Sequence, residues 1–487
     1  MSRNILLSLC FLCATAVASA QGPSDQKSIP ISKVERKGKA PVSSEVLRVK
    51  LPKPAEFKLD NGLAILILED HRLPLVTLHL IIPGAGSMDE PLELPGLASF
   101  TAQMLKEGTA TRSSKQIAEE MERLGASINA TAPFGSDETT LTASGLSDKF
   151  GQWVALAADV LLQPTFPKEE LDKLKQRQKA ALMQQRSTPA FLQLERFSKA
   201  LYGDHPASVV TATAESIDAM TPELLAKWHR EHYVPQNAIL GIAGDVNPSE
   251  LLAMFSTMPV WEAGNTALKS VAATKAVGAK HVYIVERPGS VQTDVALGNV
   301  AVTRTDPDYV AMTVLDRIVG GGPSARLFLN LREEKGYTYG VYSALDARKY
   351  AGPWFASGNM RTEVTGGAMD EFMKEIRRIR DDKVPEAELE EQKRALVAAF
   401  ALSLEDPDQL LEYALTRKIY GLPEDYWDTY PAKISNITAE QVQRVAKKYL
   451  DPDAIQIVAV GDAAKIRPML EKFGPVEVFD AQGKPAK

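Results

Sequence analysis

Apolar and polar positions follow two periods from about Phe57 onward. Asp60-Asn61-Gly62 separates Glu56–Leu59 from the run Leu63–Leu68, which predicts a hairpin. Val76–Ile82 reads as the next strand. The period then changes. Leu97, Phe100, Met104 and Leu105 share one face of a helix over Gly96–Glu107. Ser113 with Gln116 forms a capping-box pattern before Ile117, Met121 and Leu124, and Gly125 closes that helix. Ser127–Ala132 and Thr139–Ser144 alternate as strands. Pro167 opens a long helix to about Arg186. A helix over Tyr309–Val319 ends at the turn Gly320-Gly321-Gly322.

The pattern also repeats. Tyr202-Gly203 recurs as Tyr420-Gly421, and Ile217 and Thr221 recur as Ile434 and Thr438. Tyr233, Ala238, Ile239, Gly244 and Asp245 recur as Tyr449, Ala454, Ile455, Gly461 and Asp462. An offset of 216–218 residues is the length of a domain, not of a solenoid unit. Glu262–Lys280, small and polar, reads as the linker between copies. Strands and helices in both orders with hairpin turns predict an α+β fold: two homologous domains, each a mostly antiparallel sheet packed with helices, in a clam-shell arrangement.

Composition narrows the setting. Arg3, the apolar run Ile5–Val17 and Ala18-Ser19-Ala20 form an export-signal pattern, with cleavage expected after Ala20. That run is shorter than the roughly 20 residues that span a bilayer, and no later stretch is long enough. Residues 21–50 read as a polar, flexible leader. Both cysteines, Cys10 and Cys13, lie in the signal, so no disulfide or cysteine metal site is expected in the mature chain. A net charge of −6 argues against nucleic acid as a partner.

Candidate chemistry is sparse. Of six histidines only His229 and His232 are close in sequence. They are expected on an exposed helix face, because Val445 and Lys448 replace them in the second copy. Zinc needs at least three converging protein ligands. His79, in an apolar strand, reads as a core or hydrogen-bonded histidine. No nucleophile elbow, phosphate loop or dinucleotide fingerprint occurs.

Gly96-Leu-Ala-Ser-Phe-Thr-Ala-Gln-Met-Leu-Lys-Glu-Gly-Thr109 resembles the first helix of the pitrilysin and mitochondrial-processing-peptidase family, the inverzincins. Further matches follow in order: Leu124–Ala130, Pro164–Pro167, His205-Pro206 and Gly244-Asp245, then Gly321–Leu327 and Leu331–Tyr339. The resemblance runs from about Phe57 to about Phe473. It implies domains at 51–262 and 281–487 around a 263–280 linker. Active relatives carry His-x-x-Glu-His, two zinc ligands one helical turn apart with a general base, and a further glutamate on a later helix. Ser99, Ala102 and Gln103 occupy those three positions here, and the distal one falls at or next to Ala181. All four roles are therefore vacant, and the chain is expected to hold no metal and to have no catalytic residue of its own. The resemblance assigns substrate contact to Arg332 and Tyr339, with Tyr337 a rival phenol, and strand addition to the edge containing Asn129.

Three readings follow. The first is a non-catalytic subunit of a heterodimeric zinc peptidase, exported to a bacterial periplasm. It would bind peptide and lend Arg332 and Tyr339 to a homologous partner that carries the zinc. The second is a peptide-binding or scaffold protein without peptidase activity. The third is a self-sufficient enzyme whose metal site would start from His205, His229 and His232.

Overall fold

The computed structural model describes residues 47–256, 260–264, 267–275 and 278–486. The expected signal and most of the leader lie outside them. The Asp60-Asn61-Gly62 turn forms as read: Gly62 adopts φ 93°, and the Asn61 side chain accepts from Leu63 N–H at 3.2 Å. It joins β1 (Ala55–Lys58) to β2 (Ala64–Glu69). β3 (Leu75–Pro83), β4 (Ser127–Thr131), β5 (Glu138–Leu146) and β6 (Ile239–Gly244) complete the first sheet, in the order β1-β2-β6-β3-β5-β4. The second half gives β7 (His281–Glu286), β8 (Gln292–Val300), β9 (Val341–Leu345), β10 (Pro353–Arg361), β11 (Gln456–Gly461) and β12 (Val476–Phe479), in the order β12-β7-β11-β8-β10-β9. Each sheet is mostly antiparallel, so the α+β reading holds.

The first half carries α1 (Leu97–Met104), α2 (Ser114–Leu124), α3 (Phe150–Leu162), α4 (Lys168–Gln185), α5 (Pro189–Tyr202), α6 (Ala214–Ala219), α7 (Pro222–His232) and α8 (Pro248–Phe255). The second carries α9 (Tyr309–Val319), α10 (Thr365–Asp381), α11 (Glu386–Ser403), α12 (Pro407–Ile419), α13 (Tyr430–Ser435), α14 (Ala439–Tyr449) and α15 (Ala463–Leu470). The capping box of α2 is present, with Ser113 and Gln116 bonding reciprocally and Gly125 in the left-handed region. None of the helices is long and apolar enough to cross a membrane among the described residues.

Each sheet buries one face under helices of its own half. The other face receives one helix from the opposite half. α12 lies on β2 and β6, where Leu411 and Leu415 pack against Leu66, Leu68 and Ile81. A side chain at Gly241 would meet Leu411 at 2.9 Å, so a glycine there lets the helix approach. α5 lies on β7, β8 and β11, with Leu192, Phe197 and Leu201 against Val285, Ala296 and Val458. Each fully buried leucine contributes roughly 1.5–3 kcal/mol, so the exchanged helices hold the halves together.

Polar contacts follow the same seam. His79 on β3 meets Glu412 at 2.6 Å and Asp408 at 3.2 Å, both on α12. Burial opposes the imidazolium, but the two carboxylates outweigh it and lift His79 to about 9. His79 is thus hydrogen-bonded, as the sequence implied. Lys349 reaches Asp137 at 2.6 Å, and the Tyr350 hydroxyl donates to the Gly135 carbonyl at 2.9 Å.

The exposed setting expected for His229 and His232 is wrong. His229 donates to the Leu161 carbonyl at 2.7 Å, and burial pushes it down to about 4. His232 reaches the Gly84 carbonyl at 2.5 Å and stacks on Trp228 at 3.7 Å. The end of α7 is turned against α3 and the end of β3, which the helix pattern alone does not reveal.

Candidate functional site

α1 starts abruptly because Gly96 is left-handed, φ 100°, with a would-be Cβ 3.0 Å from Ala212. No side chain of the first turn caps it. Glu90 does so from the preceding loop, accepting from Gly96 N–H at 2.8 Å and Ala98 N–H at 2.5 Å. Burial lifts Glu90 to about 7 against those two donors. The cap was not legible in the sequence, since Glu90 lies six residues before the N-cap Gly96.

One turn apart on α1, Ser99 and Gln103 share a face. The Gln103 amide donates to Ser99 Oγ at 3.0 Å and to the Ser99 carbonyl at 3.2 Å. From α4, the Gln178 amide donates to Gln103 Oε1 at 3.0 Å. Ala102 points into the core. Ser99 and Gln103, at two positions where relatives place zinc ligands, thus join Gln178 of α4 in a neutral chain of hydrogen bonds, Gln178 to Gln103 to Ser99. Its α4 member is Gln178, one turn before the expected Ala181, which is exposed. A small cleft of about 120 Å³ adjoins it, lined by Ser99, Phe134, Gln178 and Gln185 among others.

This donor set does not fit Zn²⁺. Zinc is held by thiolate, imidazole or carboxylate, whereas a hydroxyl and two primary amides are neutral, and Gln103 is committed at both ends. Ala102 has no group to accept a proton from water. His205, His229 and His232, the alternative metal set, are each tied to a different backbone group: the Ala272, Leu161 and Gly84 carbonyls. Among the described residues no three His, Cys, Asp or Glu side chains are placed to hold a metal.

Asn129 lies on β4, the outer strand of the first sheet. Ile128 and Ala130 point into the core while Ser127, Asn129 and Thr131 are exposed. No backbone hydrogen bond from outside the sheet reaches Ser127–Thr131 among the described residues.

Arg332 sits in a π-helical turn, Phe328–Glu334, a rare geometry frequent at functional sites. Its guanidinium lies over the Phe328 ring at 4.6 Å and its Nε is 3.6 Å from Glu333, leaving the side chain 44% exposed. Tyr337 packs against the second core, near Gly367. Tyr339 is 88% exposed. Neither Arg332 nor Tyr339 is hydrogen-bonded to the Ser99–Gln103–Gln178 chain among the described residues.

Comparisons with known proteins agree with this architecture. Residues 64–213 match the family model for insulinase, peptidase family M16, and residues 219–396 match that for the peptidase M16 inactive domain. An uncharacterized zinc protease of Rickettsia bellii is 30% identical over 307 residues, 62% of this chain and 70% of that protein. The uncharacterized zinc protease YmxG of Bacillus subtilis is 22% identical over 399 residues, 82% of this chain and 96% of that protein. The crystal structure of a peptidase M16 inactive domain from Pseudomonas fluorescens is 28% identical with a TM-score of 0.78, covering 84% of this chain and 98% of that one. A protease from Helicobacter pylori, 18% identical with a TM-score of 0.78 over 85% of this chain and all of that one, shares the fold. Two matching half-domains, the shared fold and the substituted ligand positions lead to one conclusion: the chain belongs to peptidase family M16, the pitrilysin-type zinc peptidases, and lacks that family's catalytic motif.

Proposed function

We propose that this chain is the non-catalytic, peptide-holding subunit of an exported zinc peptidase, working with a homologous subunit that carries the zinc. The observation that carries this reading is the contrast within the first half. Ser99 and Gln103, at two of the family's ligand positions, are tied into a hydrogen-bonded chain with Gln178, while the β4 edge beside α1 is left open. An open edge strand offers main-chain hydrogen bonds to an extended peptide of almost any sequence. Arg332 and Tyr339 then reach from the second half toward the partner's site. Exposed Tyr339, not packed Tyr337, is the phenol free to do so. A guanidinium and a phenol both donate, which suits a peptide carbonyl and the oxyanion that develops from it.

The test is reconstitution. The tagged mature chain, recovered from the periplasm, is assayed alone and with any co-eluting homologue that has His-x-x-Glu-His. Alone it should bind but not cleave an unstructured peptide. With the partner, Arg332→Ala and Tyr339→Phe should lower turnover by about 10²–10³-fold, the range for a lost oxyanion donor, without loss of co-elution. Unchanged turnover would remove the shared-site role. Recovery of the chain without such a homologue would favour a peptide-binding or scaffold protein.

A further inference from the structure

The two halves differ at one place where no role has been assigned. In the first half a cavity of about 460 Å³ lies between the sheet, α3 and α8. Leu80, Leu141 and Leu240 line it from the sheet, Ala157 and Ala158 from α3, and Phe255 from α8. Its size falls within the roughly 300–1,000 Å³ of ligand pockets, and its lining is predominantly apolar, as theirs is.

The second half shows how the same space is closed. β5 and β10 are both nine residues long and lie 215 residues apart, and each leads through a three-residue turn into α3 or α10. Ala157 and Ala158 therefore match Phe372 and Met373, which are 0% and 1% exposed and fill the second core. α15 seals that core by burying Ala463, Ile466 and Leu470, whereas its counterpart α8 buries only Leu251. The cavity arises from two small residues opposite the sheet and from a helix held less deeply.

We infer that this cavity is a binding site for an uncharged aliphatic chain. Among the described residues its polar lining consists of Asp60, Asn61 and Ser256 beside the indole of Trp261, with no Lys, Arg or His. Asp60 repels an anionic head group, and no cation of the described lining offsets it. Asn61 is already committed, donating to the Trp261 carbonyl at 3.0 Å and accepting from Leu63 N–H. The leucine-rich wall takes an extended chain of on the order of ten carbons without demanding ring geometry. The inference is independent of any peptidase role.

The probe is 11-bromo-1-undecanol, whose bromine quenches indole fluorescence, with 11-bromoundecanoate as the anionic control. The full mature chain should show saturable one-to-one binding by calorimetry, together with quenching that disappears in Trp261→Phe. The carboxylate should bind at least tenfold more weakly. Ala157→Phe and Ala158→Met, which import the second half's own residues, should each weaken binding at least tenfold while thermal unfolding stays cooperative. Ala158→Met is the milder change if Ala157→Phe fails to fold. Absence of saturable binding by the unsubstituted chain overturns the site. Undiminished binding by a folded filled variant does so too, and equal affinity for the carboxylate overturns the uncharged class.

Discussion

The first and second halves are built to one plan, yet the first is open where the second is closed. At the former metal position, α1 and α9 run in step 212 residues apart, so Ser99, Ala102 and Gln103 match Ala311, Val314 and Leu315. The second set is wholly core, while the first keeps two polar side chains beside a cleft. The edge strands differ as well. β9 is capped by its own half: Ser343 N–H donates to the Gly320 carbonyl at 3.0 Å, and a Cβ on Gly320 would lie 2.5 Å from that nitrogen. β4 has no such cover among the described residues. The difference teaches that catalytic residues were lost without the first half being repacked as a second C-terminal half. Amides and a hydroxyl satisfied one another in place of the metal, and the surfaces around them stayed accessible.

The largest effect should come from reversing the loss. Ser99→His, Ala102→Glu and Gln103→His together with Gln178→Glu should create stoichiometric zinc binding and a zinc-dependent rise in Tm, measured by metal analysis and melting. The same three changes with Ala181→Glu should not, because Gln178 is the α4 residue bonded to Gln103 while Ala181 is exposed one turn on. Equal zinc retention by both quadruple variants would show that the α4 register has been misassigned. Next, Gly320→Ala should cost about 2–4 kcal/mol in denaturant unfolding, because the new methyl collides with the β9 backbone. An unchanged midpoint would mean that the cap on the second edge is dispensable.

The seam between halves provides a pH test. His79 is raised to about 9 from an ordinary 6.5. Its charge therefore stabilises the fold fully below about pH 6.5, and that contribution fades as pH rises through 9, by roughly 2 kcal/mol after allowing for half-exposed carboxylates. His79→Gln should flatten the unfolding profile between those limits, and a retained slope would assign it elsewhere. The smallest effect concerns the open edge. A β-forming peptide N-methylated at alternate residues should bind at least tenfold more weakly than its parent, about 1.4 kcal/mol, in a calorimetric titration. Equal affinities would show that peptides are held by side chains instead.

Much of this was legible in the sequence, for local reasons. Gly62, Ser113 with Gln116, and Gly125 encode turns and caps by their own geometry. The substitutions at Ser99, Ala102 and Gln103 were visible because the helix around them keeps its family pattern. What escaped notice depended on partners. α4 buries only Leu171 and Leu174, so its apolar pattern does not fix which residue faces α1, and the Gln178–Gln103 bond was not foreseen. The apolar stripes of α5 and α12 say that each helix is buried but not on which sheet. Likewise Ala157 and Phe372 each look like ordinary core residues until the two halves are superposed by strand register.

The exchanged helices also impose an order on synthesis. Leu66, Leu68, Ile81 and Ala243 wait for Leu411 and Leu415, more than 150 residues further on. Until then the emerging chain presents a bare apolar sheet face, the kind of intermediate that associates with other chains. The chain is thereby kept from settling early, since its first sheet cannot be finished until most of the chain has been made.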